Sequence, residues 1–247
     1  MNERDVFKAL HGLGLCAARD ALEALTEHAT RGRLGPIELL EQLVELERRE
    51  RERRNLARRT HAARLGTVPP LDRFDWTHPR TIDRALYQRL SGLSFLGAAE
   101  NVLFRGPAGV GKTTLARHLG VLALASGRTV RFTTLAGAMA DLLRQDGPAA
   151  LLRRLRHYTR PDLLIVDEIG YLPCDQRATD LLFQIIAQRH EVRSTVVTTN
   201  LPYKEWPTLF PGAACVSAMV DRFAQHCHVM DIDADSWRQK AGRERRK

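Results

Sequence analysis

Apolar residues recur along the first part of the chain at the three- and four-residue spacing of helices. Leu10, Leu13, Ala17, Ala21, Leu22 and Leu25 form one such stripe. After a break at Gly32 to Pro36 a second helix carries Ile37, Leu40, Leu43, Val44 and Leu46 as the stripe predicted to be buried. Thr67-Val68-Pro69-Pro70 ends this helical region and marks a boundary. Beyond it, Ile82 to Leu90 predicts another helix, and then short apolar runs alternate with helical stretches. Asn101 to Phe104, Thr129 to Thr133, Leu163 to Val166 and Ser194 to Thr199 predict buried strands, with His228 to Ile232 as a fifth. Thr113 to Ala125, Leu135 to Leu143 and Asp180 to Arg189 predict crossover helices. Strands that alternate with helices imply an α/β fold built on a parallel sheet. The expected organisation is a helical domain over 1–66, an α/β domain over 67–240 and a basic tail over 241–247.

Composition changes this picture little, since 44% hydrophobic and 27% charged residues are ordinary for a globular chain. Charge changes it more. Lys and Arg number 38 against 29 Asp and Glu, a formal net charge of +9 that favours a polyanionic partner. Between Glu47 and Arg64 arginines greatly outnumber acids. Pairs such as Glu47 with Arg51 and Glu50 with Arg54 suit an exposed helix, so one reading is a solvated face. The other reading, preferred here, is a cationic ridge for the phosphates of double-stranded DNA, with Arg48, Arg51, Arg54, Arg58 and Arg59 as candidate contacts. Four scattered cysteines without a CxxC pair read as reduced thiols. His226-Cys227-His228 has no second cluster of ligands to complete a metal site. No apolar run approaches the roughly 20 residues that span a bilayer, and no secretory leader is seen, so a cytoplasmic protein without membrane contact is expected.

The chemistry sits in two motifs. Gly106-Pro107-Ala108-Gly109-Val110-Gly111-Lys112-Thr113 matches GxxxxGK[ST], follows an apolar strand and opens a helix. Its glycines let backbone N–H groups face phosphates, Lys112 is expected to reach the β- and γ-phosphates, and Thr113 to ligate Mg²⁺. Thr114 completes the ATP-binding run. The second motif, Leu163-Leu164-Ile165-Val166-Asp167-Glu168, is a buried strand that delivers two carboxylates to the same end of the sheet. Asp167 is expected to hold Mg²⁺ and Glu168 to orient and deprotonate the attacking water, which predicts an ATPase. A further strand ends at Asn200, which either bonds the attacking water or γ-phosphate or caps a turn before Pro202. Phe74 and Trp76 precede the core and read either as a wall for adenine or as linker anchors.

These motifs, with Leu71-Asp72-Arg73-Phe74-Asp75-Trp76, Asp167-Glu168-Ile169-Gly170-Tyr171, Thr198-Thr199-Asn200-Leu201-Pro202, Lys204-Glu205-Trp206 and Asp221-Arg222-Phe223 through His228, resemble the IstB group of AAA+ ATPases. These are transposition helpers of IS21-type insertion sequences, related to the helicase loader DnaC and the initiator DnaA. The resemblance covers most of the chain. It implies an AAA+ P-loop NTPase fold without a C-terminal helical lid, which assembles as a homo-oligomeric ring or spiral on DNA and delivers that target to a transposase. It also implies that Arg222 is an arginine finger completing a neighbour's ATP site, in keeping with a guanidinium that neutralises transferring phosphoryl charge; the local alternative is an Asp221–Arg222 surface pair. Arg238, after Ser236 and Trp237, aligns with a Ser-aromatic-Arg ending and a second sensor role, although Trp237 stands where the family has tyrosine. A DnaC-like helicase loader is the nearest alternative function. A small-molecule kinase and a non-catalytic DNA clamp are further ones.

Overall fold

The computed structural model describes residues 3–17, 19–32, 34–170, 175–211 and 213–237. Tyr171, Cys174, Arg238 and the basic tail, all singled out in the sequence, lie outside the described residues. Contacts divide the chain into two compact units, Met1–Arg59 and Thr60–Lys247.

The first unit is helical: α1 (Glu3–Gly12), α2 (Arg19–Gly32) and most of α3 (Pro36–Ala63). The single stripe expected before Gly32 is in fact two helices. The chain turns at Leu13 and Gly14, with Gly14 at a φ of 91° that other residues rarely adopt, and Leu13 is 81% exposed. Phe7, Leu10, Ala17, Leu22, Leu43 and Leu46 pack together. The stripe expected to be buried on α3 is therefore only half so: Leu43 and Leu46 are covered, whereas Ile37, Leu40 and Val44 are 68%, 55% and 66% exposed. Two short helices cover one narrow face of α3 and no more.

The second unit comprises α4 (Arg84–Ser91), α5 (Ser94–Gly97), β1 (Asn101–Arg105), α6 (Lys112–Ala125), β2 (Val130–Thr134), α7 (Leu135–Leu143), α8 (Pro148–Thr159), β3 (Leu163–Ile169), α9 (Gln176–Arg189), β4 (Ser194–Thr199), α10 (Trp206–Leu209), α11 (Ala213–Ala224) and β5 (Cys227–Asp231). The five strands form one parallel sheet in the order β2-β3-β4-β1-β5. Side chains alternate between two cores. Val102, Phe104, Leu163 and Ile165 face α6 residues such as Leu115 and Leu119. Leu103, Leu164 and Val166 face Leu182, Trp206 and Phe223 on the other side. Burial on both faces is why β1 and the first four residues of β3 read as nearly continuous apolar runs. Local caps fix the helix starts: Thr134 accepts from Gly137 N at 3.0 Å and Asp175 from Ala178 N at 2.7 Å. Among the described residues, no helical lid follows β5 and no helix is long and apolar enough to cross a membrane.

Candidate nucleotide site

The order of the strands brings the ends of β1, β3 and β4 together, and the phosphate loop leaves from β1. Gly106 passes so close to the C-terminal segment that a Cβ there would sit 2.1 Å from the Ile232 carbonyl oxygen. Gly111, at a φ of 97°, would place a Cβ 2.6 Å from Phe74 Cε2. No other residue fits either position. The loop then runs into α6, whose first turn holds no acid, so its free N–H groups and positive dipole end stand unopposed. Lys112 is buried, and its Nζ donates to the carbonyls of Gly106 at 2.7 Å and Pro107 at 2.6 Å.

Thr113 Oγ1 donates to Asp167 Oδ1 at 2.9 Å, joining the loop to the tip of β3. Asp167 is buried, and Thr198 of β4 also donates to its Oδ1. The Thr198 hydroxyl oxygen in turn accepts from Glu168 N at 3.0 Å. Glu168 has a φ of 64°, and the β3–β4 register shifts between Val166 and Ile169 at this point. The bulge turns the Glu168 side chain out to an exposed position beside the loop while Asp167 stays inside.

A cavity of about 370 Å³ opens over this constellation. The loop from Ala108 to Thr114 lines it, together with Glu168, Thr198, Phe74, His78 and Trp237. Its outer wall consists of two segments that hold each other. Asp233 N donates to the Thr81 carbonyl at 3.0 Å, Arg80 N to the Asp233 carbonyl at 2.7 Å, and the Arg80 guanidinium to Asp235 at 2.7 Å. His78 bonds the Asp235 carbonyl at 2.9 Å, and its ring stands edge-on to Trp237 at 4.9 Å. Phe74 packs on Trp76 at 4.8 Å, and Trp76 on Tyr87 at 5.3 Å. Phe74 thus lines the cavity, whereas Trp76 anchors the segment to α4. Thr198, His78 and Trp237 had no place in the site deduced from sequence. Their proximity depends on pairings between distant segments that no local pattern announces.

The donor set fits a triphosphate and a hard divalent cation. A buried ammonium and an amide-lined helix start suit phosphate oxygens. Thr113 and Asp167 offer two adjacent oxygen ligands, the sparse protein share that Mg²⁺ takes when phosphates and water complete its shell. Among the described residues there is no cluster of three His, Cys, Asp or Glu able to hold a metal, and this includes the segment with His226, Cys227 and His228. His228 instead pairs with Glu100 at 2.8 Å, and Cys227 accepts from the Tyr203 hydroxyl at 3.3 Å.

Two sequence-derived candidates of the second unit, Asn200 and Arg222, are not among the residues that line this cavity. Asn200 is exposed at the end of β4, with its Oδ1 2.9 Å from where a Cβ on Gly170 would stand, and it lines a separate open cleft with Arg105 and Tyr203. Arg222 lies in the last turn of α11, its guanidinium 4.9 Å from the Phe183 ring centre, and its Nη1 is buried with no hydrogen-bond partner among the described residues. In the first unit, Arg48 pairs with Glu45 at 3.0 Å, Arg54 with Glu50 at 2.7 Å, and Arg58 donates to Asn55 at 3.2 Å. Arg51 bonds Glu47 and reaches the Gly14 carbonyl at 3.1 Å, while Arg59 is half-buried. Exposed ion pairs of this kind are screened by water and contribute little, so exchanging a glutamate for a phosphate costs little.

Residues 8–245 match the family of IstB-like ATP binding proteins. A protein of Geobacillus stearothermophilus, named for ATP binding and for insertion sequence IS5376, is 32% identical over 96% of this chain and 94% of its own length. Its counterpart for IS21 in Pseudomonas aeruginosa is 35% identical over 90% of this chain and 84% of its own. Among solved structures, the initiator DnaA bound to AMPPCP and single-stranded DNA superposes on 71% of this chain with a TM-score of 0.56 at 17% identity, and this chain covers 53% of that protein. The DnaC helicase loader superposes on 69% of the chain with a TM-score of 0.52 at 18% identity, with 97% of its own length covered. At such identities the likeness extends to the fold alone.

Proposed function

The chain belongs to the IstB-like ATP-binding protein family, and from that premise we propose that it is a Mg²⁺-dependent ATPase that binds DNA and serves transposition. The observation that carries this reading is the linked set Thr113–Asp167–Thr198–Glu168 beneath the phosphate loop. Lys112, released from the loop carbonyls, and the N–H groups from Ala108 to Thr114 hold the β- and γ-phosphates. Thr113 and Asp167 hold the metal, which when bound supplies positive charge to the phosphoryl oxygens. Glu168 orients water and accepts its proton. Phe74 covers the loop and offers an aromatic face to the base, with Trp76 as its anchor.

Beyond hydrolysis, the reading includes a homo-oligomeric ring or spiral on double-stranded DNA, with Arg222 acting on a neighbour's nucleotide and Asn200 relaying its state to β4. Arg222 lies outside its own subunit's cavity, as a group that acts in trans must. The arginines Arg48, Arg51, Arg54, Arg58 and Arg59 of a helical domain over 1–66 contact phosphates, and an ATPase domain over 67–240 governs delivery of the DNA to a transposase in the cytoplasm. The insertion-sequence names of the relatives favour a transposase over a replicative helicase as partner.

The two halves of the nucleotide reading separate by mutation. Lys112→Ala should lower ATP affinity by at least about tenfold, because a buried ammonium–phosphate contact is lost. Glu168→Gln should bind ATP as the wild type does while turnover falls roughly 100- to 10,000-fold. Equilibrium nucleotide binding and phosphate release measure both. Undiminished turnover in Glu168→Gln would remove the proposed base and leave a non-catalytic clamp.

A further inference from the structure

We infer that a second cavity, formed by β2, α7 and α8 in the same unit as the nucleotide site but separate from it, binds a phosphate group through Arg131, Arg64 and Arg144. This cavity has a volume of about 410 Å³, and its lining includes these three arginines with Asp141 and Tyr158.

Arg131 is the key observation. It lies on β2, an edge strand, and only 8% of it is exposed. Its Nη1 donates to the Ala62 carbonyl at 3.2 Å, but its Nε is buried without a hydrogen-bond partner among the described residues. The Tyr158 ring centre is 5.7 Å from the guanidinium. A ring attracts the cation but cannot accept an in-plane N–H that points elsewhere. Arg189 shows what a structural buried arginine looks like in this protein. It is 1% exposed, and its donors reach Thr195 Oγ1 and the carbonyls of Tyr158, Thr159, Pro161, Asp162 and Ser194. Arg131 has fewer acceptors, the Ala62 carbonyl and the Tyr158 hydroxyl oxygen, and its Nε is left over among the described residues. A buried cation short of acceptors is stable when an anion supplies them.

The surroundings specify the anion. Arg64 ends α3 with a φ of 55°, Arg144 caps α7, and both are exposed at the cavity. Asp141 is the one acid in the lining, and its charge is already taken: Arg154 grips both oxygens at 2.6 and 2.7 Å, and the Tyr158 hydroxyl donates as well. Burial pushes the Asp141 carboxyl up, but the bonds from Arg154 and Tyr158 outweigh it and hold the group below the usual range. Three further guanidinium groups remain, which offer more forks than the two oxygens of a carboxylate use and suit the oxygens of a phosphate. A fourth, Arg117, lies 4.2 Å over Phe132, another lining residue, and adds to the local field. The phosphate comes either from a nucleic-acid backbone or from a free small molecule.

The test uses the full chain with Lys112→Ala, so that the phosphate loop does not contribute. Inorganic phosphate and a short DNA duplex lacking terminal phosphates are titrated separately, the duplex over a series of salt concentrations. Arg64→Gln with Arg144→Gln removes the two exposed forks without touching the core, and Arg131→Lys keeps the buried charge while removing the planar donors. Both variants should weaken phosphate binding about tenfold or more. If the phosphate is part of a nucleic-acid backbone, the slope of log affinity against log salt for the duplex also falls by about one to two in the double variant. A lost phosphate response with an unchanged duplex slope assigns the site to a free phosphate. If neither ligand distinguishes the double variant from its parent, the inference is overturned. With Lys112 intact, the double variant should bind ATP normally, which keeps this outcome distinct from any failure of the nucleotide reading.

Discussion

Thr198 is a single hydroxyl on which two carboxylate-bearing residues depend. It donates to Asp167 and accepts from Glu168 N, so it holds both the metal-side acid and the backbone bulge that presents the proposed base. Glu168 occupies the left-handed region, where a residue with a side chain costs roughly 1–2 kcal/mol, and the bond to its N–H helps hold it there. Thr198→Val keeps the shape of the side chain but removes both bonds and leaves a buried donor, a loss of about 1–3 kcal/mol. Because the phosphate loop is untouched, ATP affinity should change by no more than a few-fold while kcat falls about tenfold or more; Thr198→Ser should recover most of the rate. Equal loss of affinity and rate would instead mark Thr198 as a general structural residue. The phosphate loop and the acidic pair are legible in the sequence because each is contiguous and sits at the end of an apolar run. Thr198 is not, since its role exists only once β4 lies beside β3.

The sheet strands and the capped helix that follows β2 were the most legible elements, and the half-covered helices of the first unit the least. All five strands lie where the apolar runs place them, and α7 coincides with Leu135–Leu143, because Thr134 caps its start. The half-buried α3 was harder, since periodicity reports an apolar stripe but not whether a neighbour covers it. Nor does periodicity reveal Glu47, which joins α3 to the turn before α2. Its Oε2 accepts from Cys16 N at 2.7 Å and Ala17 N at 2.9 Å, and Arg51 bonds its other oxygen. Burial raises the Glu47 pKa, but Arg51 and the two N–H groups outweigh it, so the net shift is downward from 4.5. A depressed folded pKa gives stability that is present above the unfolded value and lost as pH falls through the folded one. Hydrogen-exchange protection in α2 should therefore weaken on acidification below about pH 4.5, within the ordinary glutamate range. Glu47→Gln should lower that protection at neutral pH by roughly 1–2 kcal/mol and flatten its acid dependence. An unchanged acid profile in the variant would assign the effect to other carboxylates.

At the scale of the whole molecule, the proposed assembly makes each active site the property of two subunits. Lys112 and Glu168 belong to the cavity of one copy, and Arg222 stands outside that cavity on α11. In a head-to-tail ring or spiral, every interface joins one subunit's loop to the next subunit's α11. Lys112→Ala and Arg222→Ala should each abolish turnover alone, for different reasons: the first cannot hold the nucleotide, the second cannot complete its neighbour. In a 1:1 mixture an interface regains all its parts when an Arg222→Ala subunit supplies the loop and a Lys112→Ala subunit supplies the arginine. Random assembly creates that order at about a quarter of interfaces, so the mixture should recover about a quarter of the wild-type rate if sites act independently. Recovery should rise with protein concentration and with duplex DNA, because both favour assembly. Arg222 acting within its own subunit gives a different result: no mixed interface restores activity, and the mixture stays as inactive as its parts.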